Sequence, residues 1–452
     1  MIWFRLFLFS KDSKLLASNS GWLVGEKVFT GMLTILVAAV VARYLGPEKY
    51  GLLSYTFAVA GLFAVLGELG LDGLVVRELV AKPKQQPSIL GTVTGLKFLS
   101  YGTVSLVLAA FGFWTSGGSK VEQLLFAFAA IFVILQSLSA PLFWFHSRVE
   151  GRYVSISNTA GSVASNGFRI LLVTGGASLL WFGSAYILTA VVMLTFAFGL
   201  FKFRGGPPLR SWHFDLKIAL SLLRESGLIF VGSISAVIFL KIDQVMLRWM
   251  MGIDVVGTYA VASQLSEAFY IIPTAIAASV FPRLIALKSS GKEDFERGLQ
   301  SILNINSLIS QTIVILILIF SGIIISILFG SQYYDSIIIL QIHILAAPFI
   351  FSRICISRWV LIEKKYKLYT VYQLLGALLN ILLNYFMIPH LGAKGAAIAT
   401  VISYCFAGYI GMVLHKETRG VFRMATTSFL FPWMLLFRPM RTWSSLKSSL
   451  KK

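Results

Sequence analysis

At 452 residues, 57% hydrophobic and only 13% charged, the chain holds material for many membrane-spanning helices, each needing roughly 20 apolar residues to cross a hydrocarbon core about 30 Å thick. Its net charge of +20 would suit a nucleic-acid partner. The distribution of that charge excludes one, because Lys and Arg collect in every second gap between apolar stretches, as cytoplasmic loops of membrane proteins do.

The first ten residues, MIWFRLFLFS, are too short to span and are followed by no small-residue cleavage site. Residues 1–17 therefore read as an interfacial segment rather than a signal peptide. Twelve spans follow, at about 20–44, 50–72, 88–114, 121–145, 153–176, 178–201, 226–249, 255–280, 300–329, 336–361, 366–388 and 394–414. With the amino terminus inside, 28 of the 39 Lys and Arg lie in the terminal segments and inner gaps. Only Arg43, Lys49, Lys120, Arg248 and Lys394 lie in the outer gaps, which predicts an even helix count with both termini cytoplasmic. Residues 415–452 mix Trp433, Trp443, Phe429, Phe431 and Phe437 with cations, a basic amphipathic tail suited to the inner membrane surface or to fraying.

The expected fold class is all-α, a polytopic membrane protein of two six-helix bundles. The longest polar interruption in the first half, from Lys202 to Lys217, contains Gly205, Gly206, Pro207 and Pro208, which forbid a continuous helix. It divides an N-terminal bundle, 18–202, from a C-terminal bundle, 219–414, with 203–218 as a cytoplasmic linker. Each bundle opens with G-x-[DE]-x-x-G: Gly46 to Gly51 after span 1, and Gly252 to Gly257 after span 7. Both copies lie on one side, so the repeat is parallel, with its pseudo-two-fold axis along the membrane normal.

Charges inside spans are rare and mark cavities or partners. Six cations qualify: Lys27 in span 1, Lys97 in span 3, Arg169 in span 5, Lys241 in span 7, and Arg353 and Arg358 in span 10. Arg grips phosphate bidentately and Lys acts as a point charge, so together they suit a diphosphate in a wet path. Lys27, Lys97 and Arg358 lie near helix ends, where snorkelling to headgroups is the competing reading. The acids in or at the edge of spans are Glu26, Glu68, Asp72, Asp243 and Glu267. Ion pairing of Glu26 with Lys27, and of Asp243 with Lys241, competes with a functional role. Glu267, in SQLSEAFY, can pair with a base or carry a proton.

Asn380 and Asn384, four apart and so on one face of span 11, form with Asp243 and Thr400 either a cation site or, for the amides, interhelical glue. Pro273 and Pro348 should kink spans 8 and 10. His343 is a neutral packed residue or a titrating one, and Cys355 and Cys405 are packing residues. No phosphate loop, H-E-x-x-H or dinucleotide fingerprint occurs, so the chain reads as no enzyme, with no cofactor beyond a coupling ion, H+ or Na+.

The runs WLVGEKVFTGMLTILVAAVVARYLGPEKYG, ELGLDGLVVRELV, FLKIDQVMLRWMMG, VGTYAVASQLSEAFYIIPTAIAASVFPRL and LLNYFMIPHLGAKGAAIATVISY resemble Wzx-type oligosaccharide flippases. These are polysaccharide biosynthesis proteins of the multidrug/oligosaccharidyl-lipid/polysaccharide exporter superfamily. The resemblance covers about 20–414. It implies two six-helix lobes in the bacterial inner membrane that flip undecaprenyl-diphosphate-linked oligosaccharide to the periplasmic leaflet by alternating access. The product would feed O-antigen, capsule or exopolysaccharide assembly, with a polysaccharide polymerase as a partner. The lipid II flippases of the same superfamily place a sodium site where Asp243, Asn380, Asn384 and Thr400 stand. Asn where those relatives can carry an acid leaves this site weaker for a hard cation. A drug/cation antiporter of the same superfamily, with an acidic cavity, and a polytopic glycan polymerase are the competing readings. The outer gaps are short for a polymerase, and the intramembrane bases outnumber the deep acids.

Overall fold

The computed structural model describes residues 11–437, and the side chains of 18–434. Residues 1–10 of the interfacial segment, and 438–452 of the tail with Trp443, lie outside the described residues. Among the described residues all regular structure is helical, and ten helical stretches are long and apolar enough to cross a membrane. The protein is a multi-pass membrane protein.

The first stretch, Ser18–Ala81, is 64 residues long, far beyond one crossing. Within it α1 (Lys11–Glu68) is broken at Gly46, whose φ of 74° and ψ of 169° only glycine adopts readily, and Pro47 then starts a new helical run. The second copy of the motif behaves alike: Gly252, with φ 116° and ψ 176°, separates α8 (Leu216–Met250) from α9 (Ile253–Glu267). The same backbone shape recurs at Gly291 and Gly330. It is not confined to the two copies of the motif, so the backbone shape alone does not make the repeat.

The chain forms two compact units that divide between Arg248 and Trp249. The first holds α1, the short α2 (Asp72–Ala81), α3 (Gln86–Thr115), α4 (Lys120–Leu135), α5 (Ala140–Ser147), α6 (Gly151–Thr174), α7 (Leu179–Phe203) and most of α8. Helix α6 is long enough to span yet rich in Ser and Asn, so it falls outside the ten apolar stretches. Leu74, Val75, Ile89, Val93, Trp144, Phe145, Phe201 and Leu222 meet in one apolar cluster.

The polar segment before α8 is seated on α3. His213 Nε2 lies 2.6 Å from Ser88 Oγ, and the Asp215 N–H donates to Thr92 Oγ1 at 2.9 Å. The strand of chain approaches so closely that a Cβ on Gly91 would lie 2.6 Å from His213 N, and one on Gly95 would lie 2.9 Å from the Phe214 ring. Asp215 then caps α8, accepting from the Lys217 and Ile218 N–H groups.

The second unit holds α9, α10 (Ile271–Ser290), α11 (Lys292–Leu328), α12 (Asp335–His343), α13 (Ala347–Ile362), α14 (Tyr366–Leu391), α15 (Ala393–Gly408) and α16 (Arg419–Phe437). Helix α16 covers the first part of the tail that the sequence placed along the membrane surface. It packs on α11 instead: Gln300 and Gln311 donate to the Met424 and Phe429 carbonyls at 3.0 and 2.9 Å, and Val421, Ala425 and Phe431 are buried. Two glutamines at this spacing on α11 supply polar grips that a purely amphipathic reading of the tail does not contain.

At Pro273 and Pro348, where the sequence predicts kinks, the α-helix is interrupted upstream of the proline. A 3-10 turn, Ala268–Tyr270, parts α9 from α10, and another, Ile344–Ala346, parts α12 from α13. A third break, Gln136–Leu138 between α4 and α5, precedes Pro141.

Candidate cargo and ion sites

The six predicted cations fall into three environments. Lys97 is 2% exposed; its Nζ lies 2.7 Å from Asp72 Oδ1 and 4.4 Å from the centre of the Phe143 ring. It therefore does not snorkel, and its charge is already matched by the first residue of α2. Lys27 is exposed, and Glu26 beside it makes no ion pair with it. Glu26 instead interacts electrostatically with Asn158 of α6 and lies 3.5 Å from the Thr30 hydroxyl.

Arg169 and Lys241 have no carboxylate at ion-pair distance among the described residues of their unit. The Arg169 guanidinium sits 4.5 Å over Tyr186, whose ring stacks on Phe57. The Lys241 stem runs past Gly61, where a Cβ would lie 3.9 Å from its Cγ. No ion pair joins it to Asp243, which is 3% exposed, because residues two apart on a helix point to different faces.

In the second unit Arg353 and Arg358 project from α13. Arg353 Nη1 donates to Gln373 Oε1 at 2.8 Å, its guanidinium lies 5.4 Å from the Tyr404 ring centre, and it interacts electrostatically with Tyr369. Arg358 lies 5.6 Å from Phe281. Each keeps a buried Nε without a hydrogen-bond partner. Guanidinium carries five donors in a fixed fork, and leaving one unfilled in a low-dielectric interior is costly. An acceptor with several oxygens would fill them. Glu267, the last residue of α9, is half-buried and interacts electrostatically with Tyr270, as do Tyr404 and Arg353. The structure thus draws Glu267 and Arg353 into one neighbourhood with Tyr270, Tyr369, Gln373 and Tyr404. The sequence reading missed those four, because uncharged Tyr and Gln in a span carry no signal until a buried arginine is seen to need them.

Asn380, Asn384 and Thr400 also come together, all fully buried. Asn384 Nδ2 donates to Asn380 Oδ1 at 3.4 Å, and Asn380 Nδ2 donates to Thr400 Oγ1 at 3.5 Å. This chain of amides ties α14 to α15. His343 is 3% exposed, its ring 6.0 Å from that of Tyr259, a packed residue.

A pocket of about 710 Å3 opens between α1 and α6 in the first unit, lined by Gly21, Trp22, Gly25, Glu26 and Phe29 on one side and Ser155, Thr159 and Val163 on the other. None of the six cations lines it. Its walls follow from sequence spacing: residues 21, 22, 25 and 29 share one helix face, as do 155, 159 and 163. The small residues on α1 leave the space open.

A chain of broken, membrane-crossing helices in two units, with basic side chains held inside the spans, is built as a multi-pass membrane transporter. Residues 16–288 match the family described as polysaccharide biosynthesis protein, and the chain belongs to that family. A Shigella flexneri protein named for O-antigen transport is 25% identical over 398 residues, covering 84% of this chain and 93% of its own. A Haloferax volcanii protein that bears the name of a low-salt glycan biosynthesis flippase, Agl15, is 25% identical over 89% of this chain and 83% of its own. Among solved structures the fold is shared with the lipid II flippase MurJ in an inward closed conformation, at TM-score 0.66, 15% identity, and coverage of 95% of this chain and 96% of that one. It is also shared with an inward-facing multidrug resistance MATE family transporter of the MOP superfamily, at TM-score 0.64, 18% identity, and coverage of 92% and 96%. The all-α polytopic fold and the family read from the sequence are both borne out, and the named relatives are transporters and flippases rather than polymerases.

Proposed function

We propose that the protein flips undecaprenyl-diphosphate-linked oligosaccharide from the cytoplasmic to the periplasmic leaflet of the bacterial inner membrane, by alternating access, for surface polysaccharide assembly. The observation that carries the reading is the pair of arginines on α13, each with a buried donor unfilled and no carboxylate partner among the described residues. A diphosphate supplies the oxygens such forks take, and the glycan names of the relatives supply the rest of the cargo. Arg169 and Lys241 are the first unit's candidates for the same anion, whereas Lys97 is committed to Asp72. A polysaccharide polymerase would take the product.

For coupling, Glu267 is the better candidate, as a proton carrier beside Arg353 and Tyr270. The neutral Asn380, Asn384 and Thr400 hold no carboxylate for sodium. A drug/cation antiporter is the second reading, favoured by the pocket lined with Glu26 and no cation.

The test is exchange of a fluorescent undecaprenyl-diphosphate glycan between leaflets of liposomes holding the purified protein, with and without proton or sodium gradients. Exchange should fall about 10- to 100-fold in Arg353→Met, the loss of a hydrogen bond to a charged group. Exchange equal to wild type in Arg353→Met and Arg358→Met, with the protein folded, would overturn the phosphate assignment. Efflux of an organic cation in place of glycan exchange would favour the antiporter.

A further inference from the structure

Helix α8 is fastened at both ends, by different means. Buried residues run along it from Ala219 and Leu222 to Phe239, Gln244 and Leu247, and polar grips secure each end. At the end near the basic loops there are several: the seated segment on α3, the Asp215 cap, the buried Leu222, and an ion pair of 2.8 Å between Arg77 and Glu225. The backbone there is pressed against the turn after α1, since a Cβ on Gly70 would lie 2.7 Å from Phe230 N. Glu225 and Arg248 are 23 residues apart on one helix, roughly 34 Å, about the thickness of a bilayer core. The far end therefore lies at the opposite membrane face. There an ion pair grips it beside the buried Gln244 and Leu247: Arg248 Nη2 lies 3.6 Å from Glu122 Oε2 on α4, with the guanidinium 5.9 Å from the Tyr55 ring. Gly252 follows almost at once, and the chain leaves the first unit directly after Arg248.

We infer that Glu122 and Arg248 form a latch that closes the outer end of α8 onto the first unit, and that the latch opens once in each transport cycle. The two pairs on α8 differ in burial. Arg77 and Glu225 are about half exposed, whereas the Glu122 side chain is only 6% exposed. Screening makes the first pair weak, while losing one partner of the second strands a buried charge. The outer pair is therefore the one whose state is all-or-none. Opening it requires Glu122 to be rehydrated together with Arg248, which admits water at that face of the membrane. The inference rests on the transport reading only for its role in the cycle.

The latch itself is measured without cargo. Spin labels at Lys120→Cys and Met246→Cys, in a background where Cys355 and Cys405 are replaced by Ser, report the distance from the start of α4 to the end of α8. Glu122→Gln and Arg248→Gln should each raise the long-distance population about tenfold, a buried-pair effect discounted for the third of Arg248 that is exposed. The charge swap Glu122→Arg with Arg248→Glu should restore the short distance. An unchanged distribution in both single variants overturns the latch, whether or not the protein flips glycan. Its role in the cycle is tested by Glu122→Cys with Arg248→Cys, joined by a short reducible bifunctional thiosulfonate. Leaflet exchange should stop on cross-linking and return on reduction, and exchange at full rate in the cross-linked protein overturns that role.

Discussion

The two units contain the same broken span, used for different ends. In the first, α4 stops at a 3-10 turn and restarts at Ala140-Pro141-Leu142-Phe143-Trp144-Phe145; in the second, α12 stops likewise and restarts at Ala347-Pro348-Phe349-Ile350-Phe351. Counting from each proline, His146 stands where Arg353 stands. After the first break the aromatic residues fill the apolar cluster, with Trp144 packed edge-on against Phe201 at 5.0 Å. After the second, the same position projects an arginine toward Gln373 and Tyr404 with a donor to spare. One break is spent on packing and the other on presenting charge.

The repeat extends to the ends of the spans with its polarity reversed. Glu150, after α5, pairs with Arg204, after α7, at 2.7 Å. Lys365, after α13, pairs with Glu417, after α15, at the same 2.7 Å. The connection is kept and the signs are exchanged, as expected of a tie between loops that needs attraction and no particular chemistry.

The sharpest way to break the contrast is to neutralise one charge in each unit. Arg353→Met should leave the melting temperature in detergent unchanged or higher while exchange collapses as above, because it removes a charge with no carboxylate partner. Asp72→Asn should do the reverse: Lys97, 2% exposed, loses its counter-charge, and stability falls by about 1–2 kcal/mol, less than for a fully buried pair because Asp72 is itself more than half exposed. Adding Lys97→Met to Asp72→Asn should restore the melting temperature and leave exchange near wild type. If the double variant is folded and inactive, Lys97 belongs with the cargo cations and the division of labour between the units is wrong.

A smaller effect separates the breaks themselves. Pro348→Ala returns an N–H to the start of α13 and favours a straighter span. Exchange should slow about threefold, in keeping with a bend that moves. Pro141→Ala should leave exchange within about twofold, its surroundings being packed on all sides. Equal slowing in both would mean that both spans bend during transport.

How much of this was legible beforehand depended on the range of the cause. The apolar helical stretches, the glycine turn at Gly46 and the break before Pro348 are local consequences of composition and backbone chemistry. The break at Pro141 was overlooked, although the Ala-Pro pair repeated at 347–348 was there to find. The pairing of Lys97 with Asp72 was not foreseen because its partner lies 25 residues away, on a helix too short for a hydropathy reading to register. The seat of the polar linker on α3 was equally hidden: it depends on Gly91 and Gly95, whose meaning appears only when His213 and Phe214 arrive against them.

The reversed ties give the mildest test, through pH. The Lys365 ammonium hydrogen-bonded to Glu417 holds that carboxyl below its ordinary value. A carboxyl lowered in the folded state stabilises it above the unfolded value, and the contribution is lost as pH falls through the folded one. The melting temperature of Glu417→Gln should therefore lie slightly below wild type at pH 7, and the gap should close below about pH 4, the ordinary range of a glutamate. On the other unit the roles are exchanged: Glu150 raises the already high value of the Arg204 guanidinium. Replacing Arg204 by Gln should likewise lower the melting temperature slightly at pH 7, by loss of the pair with Glu150. A gap in Glu417→Gln that persists at low pH would mean that the side chain packs rather than pairs, and the symmetry between the two ties would be one of position alone.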